Sequence, residues 1–312
     1  MLTRLKRFAL STVIFFLAAL SFGYAICLWY RLRDHSPALF AEHRPLAKVA
    51  ELQAELDSTG LAESAFSLTD DRGHRTAVIL QRPAAAAEPL PAVLILGGQY
   101  TGARAVRLVR LGRAALLCAM DYPAVPTGKI TPTRVPRLLF RLDHAARDAV
   151  GMSFSVLDFL CARADVDTSR ITVLGASFGV PFAIIASLDP RVKATVLIQG
   201  AAGLEEVIDW NLRKRIRFTV LRKPVSFLLG TLTAPYEPAS YIGRLAPRPV
   251  LLINSRQDEK IPAACAEELY SRSKPPKERL WIDSPHLHPS RSGLIDSLSA
   301  TVSDWLVSKD LL

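Results

Sequence analysis

Residues 171–180 read Ile171-Thr172-Val173-Leu174-Gly175-Ala176-Ser177-Phe178-Gly179-Val180. Ile171 to Leu174 is a short apolar run rich in β-branched residues, the pattern of a strand buried on both faces. Pro181-Phe182-Ala183-Ile184-Ile185-Ala186 continues as an apolar helix, with Pro181 in the first turn, where a missing N–H costs little. Between strand and helix stands G-x-S-x-G. Reversing the chain this sharply strains the serine backbone and crowds its neighbours, so glycine is needed two residues before it and two after. The turn exposes the Ser177 hydroxyl above the sheet and aims the backbone N–H of Phe178 at the same point. The bare pattern is a weak signal; the strand before it and the helix after it make it specific.

Outward from this turn, strands alternate with helices. Upstream, Ala65–Leu68 and Thr76–Leu80 form a hairpin about Asp70-Asp71-Arg72-Gly73. Ala92–Leu96 and Ala115–Met120 are buried strands, and Leu138–Ala164 carries a long helical pattern. Downstream come strands at Ala194–Ile198, Val250–Ile253 and Leu280–Ile282, then an amphipathic helix over Leu294–Val307. The expected class is α/β, with a mostly parallel central sheet covered by helices on both faces. Such sheets place their sites at the carboxyl ends of the strands.

A chain of 312 residues, 50% of them hydrophobic, is long enough for one large core. The net charge of +10 is scattered without an aromatic-basic module, so no nucleic-acid partner is expected. A membrane surface or an anionic substrate fits that charge better. Cys27, Cys118, Cys161 and Cys265 show no C-x-x-C and no metal-ligand spacing, so no metal site is expected. Buried free thiols suit their apolar surroundings, with a single disulfide left open.

A serine hydroxyl is a weak nucleophile and needs a base, usually a histidine that an acid orients. On a strand-turn-serine-helix the partners follow in the order Ser, Asp, His. Asp258 stands just beyond the strand Val250–Ile253, with Glu259 as its neighbouring fallback. The base is His286 or His288, both in Asp283-Ser284-Pro285-His286-Leu287-His288-Pro289 after the last strand. Two backbone donors are needed for the oxyanion. Phe178 supplies one, and Gly98 or Gln99, in the glycine-rich loop after Ala92–Leu96, the other.

With these residues in hand the sequence resembles the α/β-hydrolases. Among them it is similar to the dienelactone hydrolase and acyl-peptidase-like esterases, over roughly Phe66 to Leu306. The carriers are G-A-S-F-G at Ser177, the run P-R-P-V-L-L-I-N-S-R-Q-D-E-K-I-P through Asp258, and Pro285-His286-Leu287. In that family an apolar residue commonly follows the base, which favours His286 over His288. The resemblance implies an α/β-hydrolase fold and cleavage of an ester or related acyl bond without metal or organic cofactor. It also implies that the insertion 203–241 caps the site. Two departures stand out: the oxyanion loop reads Leu-Gly-Gly where the family has His-Gly-Gly, and the pair His286-x-His288 leaves the base ambiguous. Within the cap, 211–223 holds six basic residues and no acid, with Leu212, Ile216 and Val220 at helical spacing. A basic, apolar lid suits an anionic membrane or an acyl substrate with an anionic head, and equally an ordinary solvated face.

Ahead of the expected 62–312 domain, 1–7 carries Arg4, Lys6 and Arg7, and 8–30 is free of charge for 23 residues. About 20 residues suffice to span a bilayer. The basic residues before the span favour a cytoplasmic N-terminus and a domain outside the cytoplasm, while Arg31 and Arg33 after it oppose that topology. Residues 31–61 read as a stalk, with Leu46, Val49, Leu52 and Leu56 at helical spacing and Gly60 closing the segment. The expected function is a membrane-anchored serine hydrolase acting on a small-molecule acyl ester. A thioesterase or peptidase on the same residues, or a non-catalytic protein that kept the fold, are the competing readings.

Overall fold

In the computed structural model, residues 2–56, 60–98, 101–123 and 135–312 are described, with backbone alone at 2–7, 9, 135 and 136. In chain order the elements are α1 (Leu2–Leu32), α2 (Ser36–Phe40), β1 (Leu46–Leu56), β2 (Leu61–Asp70), β3 (Arg75–Pro83), β4 (Leu90–Leu96) and β5 (Leu116–Met120). They continue with α3 (Val135–Cys161), β6 (Val166–Ala176), α4 (Val180–Ala186), β7 (Val192–Ile198), α5 (Leu204–Leu212), α6 (Thr219–Thr233) and α7 (Pro238–Tyr241). Last come β8 (Val250–Ser255), α8 (Ala263–Arg272), β9 (Lys277–Ile282) and α9 (Ser292–Val307).

The strands form one sheet in the order β1-β2-β3-β5-β4-β6-β7-β8-β9. From β5 to β9 all neighbours run parallel, and β1, β2 and β3 add an antiparallel edge. β4 is buried at every position. Its alternate residues serve two cores: Leu94 and Leu96 belong to the one built with α3 and α4, Val93 and Ile95 to the one built with α9. A strand covered on both faces must be apolar throughout, which is why β4 reads as an unbroken hydrophobic run. The hairpin turn between β2 and β3 is tied by Asp70, whose carboxylate accepts from the backbone N–H of Arg72 and of His74. Cys118 and Cys265 are buried, Cys27 and Cys161 half-buried, and all four are free thiols.

Two expectations are corrected here. Leu46–Leu56 is not a helix in a stalk; it is β1, paired antiparallel with β2 from Leu46 opposite Asp70 to Leu56 opposite Ala62. The helical spacing of Leu46, Val49, Leu52 and Leu56 is no guide, because nearly all of β1 is exposed and the hydrogen-bonding edge of β2 decides its conformation. Leu39 of α2 is buried in the core and Phe40 meets the ring of Phe154 on α3, so the folded unit begins well before Ala62. The second correction concerns the cap. Leu212, Ile216 and Val220 do not share one helix, since α5 stops at Leu212 and α6 starts at Thr219. Arg222 explains the break: its guanidinium donates to the carbonyls of Ile216 and Arg217, which a continuous helix would have used itself.

α1 contains a span, Leu10–Leu32, long and apolar enough to cross a membrane, and a signal sequence passes the same test. The C-terminal part of α1 rests on α5 and α6. Tyr24 stacks on Phe227 of α6 with centroids 5.1 Å apart, and Arg31 pairs with Glu205 of α5 at 2.5 Å.

Candidate active site

The turn after β6 is built as its glycines demand. Ser177 has a φ of 51°, a left-handed conformation that costs a serine energy and persists only where the surroundings enforce it. A Cβ on Gly175 would lie 2.5 Å from the Cβ of Ala183, and one on Gly179 would lie 1.9 Å from the carbonyl oxygen of Leu96. Neither position has room for a side chain. The approach of Gly179 to Leu96 and Gly97 also brings the loop after β4 beside the serine. Gly98 and Phe178 line the same cavity as Ser177. Gly98 is tied down by its carbonyl, which accepts from the backbone N–H and hydroxyl of Thr101. Gln99, the other candidate donor, lies outside the described residues.

Three side chains carried by different strand ends meet at this turn. Ser177 Oγ lies 2.7 Å from His286 Nε2, and His286 Nδ1 lies 2.8 Å and 2.9 Å from the two oxygens of Asp258. The side chains of His286 and Asp258 are 3% and 1% exposed, so the pair is shielded from water. An ionised carboxylate only accepts, so Nδ1 carries the proton and Nε2 is left to accept from the serine hydroxyl. Asp258 is itself held in place, accepting at Oδ1 from the N–H groups of Lys260 and Ile261 at 2.8 Å and 2.9 Å. Glu259 does not face the imidazole ring. Its carboxylate accepts from the backbone N–H of His286 at 2.9 Å, and that bond holds its carboxyl below the usual glutamate range. His288 is exposed, with Nδ1 beside Ser290 Oγ.

Nothing in the sequence singles out Gln199 or Ser255. Gln199 directly follows β7 with a φ of 50° and is fully buried. Its amide donates to the carbonyl of Pro285 and accepts from the N–H of Leu287, clamping the loop on either side of His286. Ser255 Oγ accepts from the N–H of Ser284 at 3.1 Å, one step further back in the same loop. The positive φ of a glutamine leaves no mark in sequence, so no local signal could have singled it out.

Two cavities meet at Ser177 and His286. The larger, about 1150 Å³, runs between α3, α5 and α6, with Val207, Ile208, Leu229 and Leu232 among its walls. The smaller, about 360 Å³, lies against α9, with Ile95, Leu174, Leu298 and Val302 in its lining. Tyr122 stands beside the larger one. It donates its hydroxyl to the carbonyl of Gly97, and burial pushes its phenol well above the ordinary range, so it acts as a neutral donor.

Solved structures share this architecture. The acetyl xylan esterase 1 of Thermoanaerobacterium sp. JW/SL YS485 superposes with a TM-score of 0.63 at 16% identity, over 84% of this chain and 90% of that one. The acetyl xylan esterase of Paenibacillus sp. R4 gives a TM-score of 0.62 at 18% identity, over 88% and 93%. The chain has the α/β-hydrolase fold. A 2,6-dihydroxy-pseudo-oxynicotine hydrolase with a TM-score of 0.55 at 19% identity, over 78% of this chain and 66% of that one, adds a third example of this α/β-hydrolase architecture. No family model matches the chain. Two curated relatives, each described as uncharacterized protein YfhR, come from Salmonella typhi and Salmonella typhimurium. They are 27% and 28% identical over 135 residues, 43% of this chain, so the match spans less than half of their length, 46%.

Proposed function

We propose that this α/β-hydrolase is a serine hydrolase of carboxylic esters. The observation that carries the reading is the buried hydrogen-bonded series Ser177–His286–Asp258 at the junction of two largely apolar cavities. In this reading His286 Nε2 takes the proton of Ser177 as Oγ attacks the ester carbonyl. The oxyanion is met by the backbone N–H of Phe178 and by the Gly98 loop. Collapse of the tetrahedral intermediate returns the proton from His286 to the leaving alcohol and leaves an acyl-Ser177. Water, deprotonated by the same imidazole, then releases the acid. The two cavities suit an ester with apolar groups on both sides of its carbonyl, one under the cap and one against α9. The neighbours named as esterases support the same reaction class.

The domain assignment that accompanies this reading places an anchor at 8–30 and the hydrolase domain outside the cytoplasm, with 203–241 as its cap. Arg4, Lys6 and Arg7 ahead of the span support that topology. The test of the reaction is direct. Full-length protein should be labelled by a fluorophosphonate probe and should hydrolyse short esters, and Ser177→Ala should lose both. Removal of one member of such a unit costs on the order of 10⁴-fold or more. A Ser177→Ala protein with parental turnover would overturn the proposal, and a screen over esters, thioesters and peptide amides fixes the leaving group.

A further inference from the structure

α6 is a two-sided helix. Leu229 and Leu232 line the larger cavity, and Arg222, Ser226 and Gly230 are buried against the rest of the cap. The outer side is apolar as well. Val220, Leu221, Val225 and Leu228 are 83%, 61%, 37% and 57% exposed, and Phe218 just ahead of the helix is 75% exposed. At about 100° per residue, positions 220, 221, 224, 225 and 228 fill an arc of about 140°, as wide as the face by which a surface helix normally packs on a core. Over the first three turns of this helix, before Leu232 turns the same side into the cavity wall, the arc is left largely exposed, and an exposed patch of this kind marks an interaction surface.

The occupant of that face follows from α1. Phe227 lies at the border of the arc and stacks on Tyr24. Tyr24 stands eight residues inside the C-terminal end of the span Leu10–Leu32. At 1.5 Å per residue that is about 12 Å along the helix axis. A bilayer that covers the span therefore reaches α6, and the apolar arc continues the lipid-facing surface of α1. The turn leading into α6 supplies the complementary charge. Arg213, Lys214, Arg215 and Arg217 are exposed there, whereas Arg222 is spent internally on Asp209 at 3.0 Å. Arg213 also stacks on Trp210 and lies 3.8 Å from Asp209, yet all four stay exposed, and an apolar face bordered by exposed cations is the composition of a helix lying in the headgroup region, with its apolar side about 5–10 Å deep.

We propose that α6 lies in the membrane interface beside α1, and that its inner side thereby presents the cavity at Ser177 to esters arriving from the bilayer. The docking half rests on α1 crossing a membrane; the delivery half rests also on the hydrolase reading. The test uses the full chain with Cys27→Ala and Cys161→Ala, reconstituted in phosphatidylethanolamine–phosphatidylglycerol vesicles. Spin labels are placed singly by Leu17→Cys on α1, Leu221→Cys and Leu228→Cys on α6, and Thr168→Cys at the opposite end of the sheet. Labels at 17, 221 and 228 should be relaxed by dissolved oxygen in preference to a soluble nickel chelate, and the label at 168 by the chelate. A label at 17 in lipid with labels at 221 and 228 as water-accessible as the one at 168 overturns the proposal. Labels at 221 and 228 shielded from oxygen and chelate alike overturn it in favour of a protein partner. A label at 17 in water removes the anchor on which it rests.

Delivery is read separately. Leu221→Asp with Leu228→Asp, both outside the cavity lining, should slow hydrolysis of a vesicle-borne long-chain ester at least tenfold and leave a soluble short ester within twofold. Equal effects on the two substrates overturn delivery. The label arm needs no turnover, so failure of the hydrolase reading and failure of the docking are told apart.

Discussion

Gln199→Met removes the clamp on the His286 loop while keeping the shape of the side chain. Two half-buried groups lose their partners, the carbonyl of Pro285, now bonded at 3.2 Å, and the N–H of Leu287. An unsatisfied group costs about 1–3 kcal/mol when fully buried, and half-buried ones recover part of it from water, so stability should fall by about 1–3 kcal/mol in all, with the long bond to Pro285 counting least. The loop would remain tethered by Glu259 at the His286 N–H and by Ser255 at Ser284, so it should shift rather than detach. A displacement of about 1 Å in a catalytic group is enough for a loss of about 10² in rate. That corresponds to about 2.7 kcal/mol in the barrier. The assay is kcat on a soluble short ester, measured at a urea-free temperature where far-UV circular dichroism shows the variant fully folded, beside a urea unfolding curve. A purely structural clamp would lower the urea midpoint and leave kcat alone. A kcat within twofold of the parent in the folded variant would therefore refute the positioning argument.

His286→Ala should cost far more in kcat than His288→Ala, because only the former imidazole reaches Ser177; the reverse order of the two kcat values would move the base. Gly179→Ala should abolish probe labelling or soluble expression, since its methyl would sit 1.9 Å from the Leu96 carbonyl oxygen, and a normally labelled variant would show that β4 and the turn can separate. Arg222→Met should destabilise by about 3 kcal/mol, the lower end for a broken buried pair. Lys223 and Arg213, at 3.4 Å and 3.8 Å from Asp209, soften the loss, and adding Asp209→Leu should recover part of the urea midpoint. Glu259 has its carboxyl lowered by the His286 N–H, so its contribution is present above the ordinary glutamate range and is lost as pH falls through the lowered value. Glu259→Gln, which keeps an acceptor, should retain kcat at neutral pH and show a flatter acid limb in thermal unfolding. A chain beginning at His35 should be folded, whereas one beginning at Ala62 loses β1 and the buried Leu39 and should unfold at lower urea; equal midpoints would make β1 and α2 dispensable.

The sequence by itself determined the turn at Ser177, the buried parallel strands and the charge-free span. Each is a local matter: no Cβ fits at Gly175 or Gly179, a doubly covered strand such as β4 must be apolar at every position, and a helix without charges for 23 residues needs no partner to be legible. Asp258 was legible for a similar reason, since it follows directly on a buried strand. What the tertiary structure decided depended on distant atoms. β1 is a strand because the edge of β2 accepts it, although its own leucines recur at helical spacing. His286 and His288 are two residues apart and only the resemblance favoured the first, whereas contacts from Gln199, Glu259 and Ser255 hold the loop that buries it. Arg222 looked like one more lid cation until Asp209, thirteen residues away in sequence, neutralised it in the cap's interior. The outer face of α6 became visible only when the fold showed which of its apolar residues the cap leaves uncovered. Hydrogen-bonding edges, loop clamps and buried ion pairs are relations between remote segments, and a one-dimensional pattern records only one side of each.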